Sequence, residues 1–506
     1  MTPRLMVMSC VLACASPSPP AAPVGSASSA PAPPVASPPD ASPPPPTPVD
    51  VTLVIAPVCE PAGFTVTLSM PADRRPVFRL DDEVMGTSGV AALISDATAK
   101  DARGPLPLVR RLRDRVLEFT PSRDASGTIT FQYRARSVST TETGALEGLR
   151  HDATGIGGHG RHFLVLPDTR RRYSIRVSWD APQCAGTVTG EGMSTFGRAA
   201  PSETAGELSS LREAVYYWGH PRQEAIDNLR FAWFGEPAFD VGPASTWAAR
   251  MFAAERAFFA DDDQAPFSVF VRVLQSHEDR ANGIGQPTSY LSWIGPRTTF
   301  ARRLKINIAH EMLHHWLGMR LRLRGVEGTA YWFTEGFTVH FSNVIAFRAG
   351  LLSVDEFLET LNDIATRHFD NKHAGASNDE IRRAFYRDPT FSIVPYTRGA
   401  LYAAELDAAM RSASHGKRRL DDVVRELYQE SRAPNNADGL PADTVRKVVQ
   451  AELGRVDRYD AVIVRGGHPN PPADAYGPCF TRKPRKPTGF EWARVPGVAE
   501  DQCRTW

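Results

Sequence analysis

The sequence predicts an α+β protein of several domains, because strand-type and helix-type patterns occupy different parts of the chain. Residues 51–192 contain short runs of β-branched and aromatic residues divided by Gly, Pro and Asp. Residues 300–455 contain mainly helical patterns. The 506 residues suffice for two or three domains, and a composition of 42% hydrophobic and 23% charged residues is typical of globular protein.

The first fourteen residues predict an export signal. Arg4 precedes an apolar run that is too short to cross a membrane. Val11–Cys14 is similar to the lipobox of bacterial lipoproteins, in which the cysteine is acylated after cleavage. Cys10 is a rival lipidation site, and an ordinary export signal is the alternative. We expect a lipoprotein-type signal peptide at 1–14 and a protein of the bacterial cell envelope, either periplasmic or on the outer surface.

Residues 15–50 are almost wholly Pro, Ala and Ser. Such a segment cannot bury a core and favours extended polyproline II structure. We therefore expect a disordered tether that holds the rest of the chain away from a membrane or envelope surface. The membrane would then be a partner only through the lipid anchor.

Residues 51–192 are expected to form a β-sandwich domain. Their strand-type runs are Val51–Ile55, Phe64–Leu68, Thr128–Tyr133, Phe163–Leu166 and Tyr173–Ser178. Each combines β-branched or aromatic side chains with flanking turn residues, which favours short strands packed face to face.

The rest of the chain divides into three predicted parts. Residues 193–345 are mixed, with a helix near Ser245–Ala260 and a strand at Ser268–Leu274. Residues 346–470 are mainly helical, and residues 471–506 form a tail with several Pro and two Cys. The helices predicted after residue 345 are Val354–Arg367, Ala400–Ser412 and Leu420–Ser431.

Four cysteines remain once the signal and tether are set aside, namely Cys59, Cys184, Cys479 and Cys503. An even number in an oxidising compartment predicts two disulfides. Four cysteines permit three pairings, of which the sequence blocks favour Cys59–Cys184 and Cys479–Cys503. A metal site built from these cysteines is less favoured, since no C-x-x-C spacing occurs.

The charge balance argues against a nucleic-acid partner, because the formal net charge is only +1. The basic runs Arg320–Arg324 and Arg482–Lys486 are more typical of solvated surfaces. Asp261–Asp263 lacks the spacing of a calcium-binding EF-hand and predicts a loop.

The segment His310-Glu311-Met312-Leu313-His314 has the spacing of a zinc site. Two histidines four residues apart lie on one helical face and can hold one ion, while the glutamate beside them can take a proton from water. Glu335, from a second predicted helix, would be the third ligand. The alternative is a core helix whose histidines have other partners.

Further landmarks follow this motif in order: Tyr331–Thr338, Phe347–Leu358, Tyr396–Leu401 and Lys417–Val423. Together they resemble the glycyl aminopeptidase family of gluzincin zinc metallopeptidases, which are relatives of aminopeptidase N. The resemblance covers about residues 200–470. It implies a thermolysin-like catalytic domain at 193–345 after the N-terminal β domain, followed by the mainly helical region.

The resemblance also implies the chemistry of the site. His310, His314 and Glu335 match the family's ligands for Zn²⁺, and Glu311 matches its general base. Tyr396 matches the tyrosine that donates a hydrogen bond to the oxyanion of the tetrahedral intermediate. The expected activity is metal-dependent hydrolysis of peptide bonds in a peptide or protein substrate, of the aminopeptidase type.

One departure from the family pattern bears on specificity. The family usually carries an acidic residue on a Gly-rich strand, where it binds the free amino group of the substrate. Asn282–Ser289 keeps the glycines but has no Asp or Glu. His277, Glu278 and Asp279 could substitute. The alternatives to an aminopeptidase are therefore an endopeptidase or other zinc amide hydrolase, and an inactive peptide-binding homologue.

Overall fold

The computed structural model describes residues 50–506 with the exception of 73, 143–144, 185–188, 276–280 and 326–327. The predicted signal peptide and nearly all of the predicted tether lie outside the described residues. The same holds for His277, Glu278 and Asp279, which the sequence offered as substitutes for the amine anchor. Among the described residues, no helix is long and apolar enough to cross a membrane.

The N-terminal part is built almost entirely of strands, with one short helix, α1, at Ser209–Arg212. The strands are β1 Val51–Cys59, β2 Ala62–Pro71, β3 Phe78–Asp81, β4 Glu83–Val84, β5 Thr87–Ser88, β6 Ile94–Asp101, β7 Gly104–Pro105, β8 Leu108–Arg113, β9 Val116–Pro121, β10 Thr128–Arg136, β11 Val138–Ser139, β12 Arg150–Asp152, β13 Gly155–His159, β14 Leu166–Pro167, β15 Arg172–Trp179, β16 Glu191–Ser194, β17 Gly197–Arg198, β18 Ser202–Glu207 and β19 Val215–Gly219.

These strands form three larger sheets and the small hairpin β4-β5. The seven-stranded sheet has the order β18-β15-β1-β2-β10-β6-β7, and the four-stranded sheet has the order β14-β3-β9-β8. They share one apolar core, in which Phe78 of β3 stacks on Phe131 of β10 with ring centroids 4.2 Å apart. The third sheet, β11-β12-β13-β19-β16-β17, takes strands from both sides of residue 192.

The strand predicted at Phe163–Leu166 is wrong except at its last residue. A 3₁₀ turn at Gly160–His162 precedes it. The buried hydroxyl of Tyr133 then donates to the Phe163 carbonyl oxygen at 3.0 Å and accepts from the Val165 N–H at 2.9 Å. A side chain therefore satisfies backbone groups that a sheet would otherwise pair, which residue preferences do not reveal.

The following part contains a five-stranded sheet in the order β20-β21-β22-β24-β23. Its strands are β20 Arg222–Ile226, β21 Leu229–Phe234, β22 Phe267–Val273, β23 Ala281–Gly285 and β24 Ser289–Ile294. The three inner strands are parallel, whereas β20 and β23 are antiparallel edge strands. The strand β22 confirms the one predicted at Ser268–Leu274.

The remaining elements are helices and one C-terminal hairpin. They are α2 Val241–Phe259, α3 Arg302–Leu313, α4 Tyr331–Arg348, α5 Val354–Phe369, α6 Asn378–Ala384, α7 Pro389–Ala413, α8 Leu420–Ser431, α9 Thr444–Leu453, α10 Asp457–Tyr459, a π-helical turn at Asp460–Val464, β25 Phe480–Pro484 and β26 Phe490–Arg494. The helices predicted near 245–260, 354–367 and 420–431 are confirmed, and so is the α+β class.

Helix α7 begins eleven residues before the predicted start at Ala400, even though it contains Pro395. Asp388 caps its N-terminus by accepting a hydrogen bond from the Thr390 N–H at 2.9 Å, and Pro389 occupies the first turn, where proline is well tolerated. The inner proline removes one helical hydrogen bond but does not end the helix. This longer helix carries Tyr396.

Both disulfides that the sequence blocks favoured are present, Cys59–Cys184 and Cys479–Cys503. The first joins the end of β1 to the segment after β15. The second closes the tail, whose Trp492 and Trp506 are buried in an apolar cluster with residues of α4, α5 and α7. The tail is thus packed onto the helical part of the chain.

Candidate active site

Helix α3 brings His310 and His314 together. The helix ends at Leu313, but the backbone of His314 remains helical (φ −58°, ψ −22°), so the one-turn spacing is kept. The two Nε2 atoms lie 3.2 Å apart, and both side chains are buried. Buried imidazoles at this spacing need a shared polar partner.

Helix α4 supplies that partner through Glu335. Its Oε2 atom lies 3.3 Å from His310 Nε2 and 3.4 Å from His314 Nε2. A tetrahedral zinc ion with ligands at about 2.0–2.1 Å spaces its ligand atoms about 3.3 Å apart. The three atoms therefore fit a zinc ion, and among the described residues no other group of three His, Cys, Asp or Glu converges in this way.

The ring of His314 is oriented by the turn that follows α3. Its Nδ1–H donates to the Leu317 carbonyl oxygen at 3.0 Å, which directs Nε2 toward Glu335. Gly318 has φ +98°, and a side chain there would place its Cβ 2.6 Å from Cγ2 of Thr334, one residue before the predicted ligand on α4. Glycine thus permits the close approach of this turn to α4.

The electrostatics of the three groups favour a bound cation. Burial disfavours charge on His314, but the carboxylate of Glu335 outweighs it and raises the pKa of His314 to about 9. Burial also opposes charge on Glu335, yet the two imidazoles hold its pKa well below the usual range. Glu335 is therefore an anion between two imidazoles, which a proton or a metal ion can satisfy.

Glu311 lies beside this group and is held by the edge strand β23. The Gly285 N–H donates to Glu311 Oε2 at 2.7 Å. A side chain at Gly285 would place its Cβ 2.7 Å from the Glu311 carbonyl oxygen and 3.0 Å from Cβ of His314. The glycine-rich segment thus lets β23 lie directly on α3, and its backbone orients the carboxylate of Glu311. The sequence analysis considered this segment only for binding the amino group of a substrate.

Tyr396 is brought to the same place by α7. Its ring centroid lies 5.8 Å from that of His310, and the two ring planes differ by 27°. The backbones of α4 and α7 touch, because a Cβ on Gly399 would lie 2.0 Å from the Trp332 carbonyl oxygen and one on Gly336 would lie 2.3 Å from Cα of Gly399. All five site residues predicted from the sequence are therefore neighbours.

A buried network under the end of α3 was not foreseen. Asp261 accepts hydrogen bonds from Trp316 Nε1 at 2.8 Å and from Arg320 Nη1 at 2.7 Å, and Arg320 also pairs with Asp263 at 2.8 Å. The interpretation of this part of the basic run as a solvated surface is wrong for Arg320. Its interactions tie the segment after His314 to the loop after α2, which steadies the end of α3.

The match to a family model falls on these elements. The model of the M61 glycyl aminopeptidases matches residues 304–401, which run from α3 through α4 to the part of α7 that carries Tyr396. No curated protein sequence matches the chain.

Solved structures with a similar fold cover most of the chain. An aminopeptidase N family protein from Idiomarina loihiensis has a TM-score of 0.69 and 15% sequence identity, over 83% of this chain and 76% of that chain. The native leukotriene A4 hydrolase from Saccharomyces cerevisiae has a TM-score of 0.52 and 12% identity, over 84% of this chain and 68% of that chain. The resemblance predicted from the sequence is therefore confirmed: from α3 to α7 the chain is similar to the M61 glycyl aminopeptidases, and its fold is like that of an aminopeptidase N family protein.

Proposed function

We propose that the chain is a zinc-dependent metallopeptidase of the aminopeptidase type, a hydrolase acting on peptides or proteins. The observation that carries the proposal is the convergence of His310, His314 and Glu335 at tetrahedral ligand spacing with Glu311 and Tyr396 alongside. The match to the M61 glycyl aminopeptidase model over the same elements supports it. Because all five side chains are present and adjacent, an inactive peptide-binding homologue is the less favoured alternative.

The roles of the residues follow from their positions. His310, His314 and Glu335 would hold the metal. A zinc ion bound there would lower the pKa of a water molecule and polarise the scissile carbonyl group. The Gly285 N–H fixes Oε2 of Glu311, so the carboxylate keeps the orientation in which its other oxygen takes a proton from the attacking water.

Glu311 then passes that proton to the nitrogen of the leaving amine. The hydroxyl of Tyr396 donates a hydrogen bond to the oxygen on which negative charge develops, and this interaction is stronger in the transition state than in the ground state. The peptide bond is cleaved by water without an acyl-enzyme, so no nucleophilic side chain is required.

A second candidate is an endopeptidase or other amide hydrolase with the same metal chemistry. It is favoured by the absence of Asp and Glu from residues 281–289, the segment that lies along α3. A substrate whose amino group needs no carboxylate partner could extend past the site in both directions.

Mass spectrometry of the products from a mixed peptide library tests the proposal, with Glu311→Gln as the matched control. Losing a general base costs about 10²- to 10⁴-fold in rate, so the variant should bind zinc and cleave very slowly. Ladders that lose one amino-terminal residue at a time establish an aminopeptidase, and internal cuts establish an endopeptidase. Cleavage by the variant at the wild-type rate would reject the mechanism.

The domain division and location are further proposals. We propose the division expected from the sequence, with a β-sandwich domain at 51–192, a thermolysin-like domain at 193–345, a helical domain at 346–470 and a tail at 471–506, except that strands β18 and β19 extend the β domain beyond residue 192. The two disulfides fit an oxidising compartment, which supports export. A lipid anchor at Cys14 in a bacterial envelope would be tested by mass spectrometry of the mature amino terminus: a diacylated cysteine supports it, and an unmodified cleaved terminus rejects it.

A further inference from the structure

The tip of the β4-β5 hairpin touches the helical part of the chain at Tyr386, and an exposed apolar side chain lies on each side of this contact. Among the described residues, five large hydrophobic side chains are exposed: Met85, Val109, Leu112, Tyr386 and Val464. Met85 and Tyr386 are each 42% exposed. A Cβ on Gly86 would lie only 2.8 Å from Cβ of Tyr386. The tip of the β4-β5 hairpin is therefore in direct contact with Tyr386, two residues after the end of α6.

The backbone of this tip makes the presence of Met85 unusual. Met85 has φ +50° and Gly86 has φ +79°, the left-handed pair of a two-residue hairpin turn. Asn, Asp and Gly are favoured at these positions, and a long side chain at positive φ is disfavoured. Met85 thus occupies a strained position and also leaves much apolar surface in water. Residues of this kind concentrate at functional sites.

The exposed pair is continuous with the candidate active site. The hydroxyl of Tyr386 lies 3.3 Å from the hydroxyl of Tyr331, whose ring packs on Phe385 with centroids 4.2 Å apart. Tyr331 is the first residue of α4, one turn before Glu335. Tyr331 and Tyr396 also pack against the same small apolar cluster, formed by Ile381, Phe385 and Val394.

We infer that Met85, Tyr331 and Tyr386 form an apolar subsite, which binds a large apolar side chain of the substrate peptide. This inference rests on the proposed peptidase function. A methionine side chain is flexible and makes favourable contacts with aromatic rings, so it can pack against substrate side chains of different shapes. Burying such a side chain also removes the exposed surface of Met85 and Tyr386 from water.

The subsite gives the N-terminal strands a role in selecting substrates. The tip of hairpin β4-β5 contributes Met85, and the segments that it adjoins contribute Tyr331 and Tyr386. The subsite is continuous with the surroundings of Glu335 and Tyr396. For this reason we assign it to a side chain of the peptide that is cleaved, and not to a separate partner protein.

The test compares peptide pairs that differ only by Leu or Gly at one position, scanned along the peptide. The measured quantity is the ratio of kcat/KM for the Leu peptide to that for the Gly peptide. Met85→Asn places a residue suited to positive φ at the tip, so its melting temperature should equal or exceed that of the wild type. We expect the ratio to fall about 3- to 10-fold in this variant and in Tyr386→Ala.

Val109→Asn on β8 is the matched control, because it removes another exposed apolar side chain and should keep the wild-type ratio. If the wild type cleaves the peptides and both Met85→Asn and Tyr386→Ala keep its ratio, the subsite is rejected and the peptidase function stands. If the wild type cleaves no peptide at any position, the proposed function and the subsite are rejected together.

Discussion

Replacing Gly399 with alanine tests the contact that places Tyr396 beside the metal ligands. The new Cβ would lie 2.0 Å from the Trp332 carbonyl oxygen and 2.7 Å from Cα of Gly336. Since Cβ atoms essentially never approach other atoms within 3.0 Å, α4 and α7 must separate locally by roughly 1 Å. Overpacking of this kind typically costs about 1–3 kcal/mol of stability.

The same substitution should also slow catalysis. Tyr396 lies one turn before Gly399, and a misplacement of about 1 Å in a catalytic group can cost on the order of 10²-fold in rate. We expect kcat to fall by about that factor with most of the zinc retained, because His310 and His314 lie on α3 and its last turn, which the new Cβ does not touch. Peptide hydrolysis, the melting temperature and the zinc content of the same sample measure the three effects.

Gly242→Ala in the first turn of α2 is the matched control. The nearest atom to its new Cβ is 3.6 Å away, so the methyl group fits. Alanine also forms helices better than glycine, so stability should be unchanged or higher by up to about 1 kcal/mol. If Gly399→Ala retains both the melting temperature and the rate of the wild type, the helices do not meet as described and the reasoning is refuted.

Three further predictions concern charge and close packing. Both carboxylate oxygens of Glu255 are buried, without a hydrogen-bond partner among the described residues, and burial raises its pKa far above the usual value. The folded protein therefore keeps a proton on Glu255 that the unfolded chain releases above about pH 4.3, so stability falls as pH rises toward the folded pKa. In urea unfolding, the stability of Glu255→Gln relative to the wild type should be higher at pH 8 than at pH 5. Equal differences at the two pH values would contradict the buried, protonated carboxyl group. Because the pKa of His314 is about 9 without metal, a proton competes with zinc for this side chain. The apparent zinc affinity in a chelator titration should therefore fall about tenfold per pH unit from about pH 8 to pH 6. A constant affinity would contradict the assignment of His314 as a zinc ligand. Gly285→Ala should push β23 away from α3, misorient Glu311 and lower kcat at least about tenfold with zinc retained, whereas an unchanged kcat would show that the strand does not orient the base.

The sequence predicted those features that depend on local spacing. Two histidines four apart on a helical pattern must share a face, so the pairing of His310 with His314 could be derived without a structure. Glu335 and Tyr396 came from resemblance to a family, because no local pattern tells which distant residue approaches a helix. The disulfides followed from the distribution of four cysteines over two blocks.

Other features depend on contacts between distant segments and could not be predicted. The sequence pattern predicted this helix only from Ala400, but the cap at Asp388 lets α7 begin eleven residues earlier and continue through Pro395. The contact of Gly336 with Gly399 is invisible in either segment alone, since each glycine matters only through the backbone it meets. The partners of Arg320 are likewise remote in sequence, so its charge alone indicated a surface residue.

The most direct test of the account is the rate of peptide hydrolysis per bound zinc ion in the wild type and in Glu311→Gln, measured on samples of known metal content. The account predicts one zinc ion per chain in both proteins and a rate lower by at least about 10²-fold in the variant. Equal rates in the two proteins, or hydrolysis that persists after the zinc is removed, would contradict it.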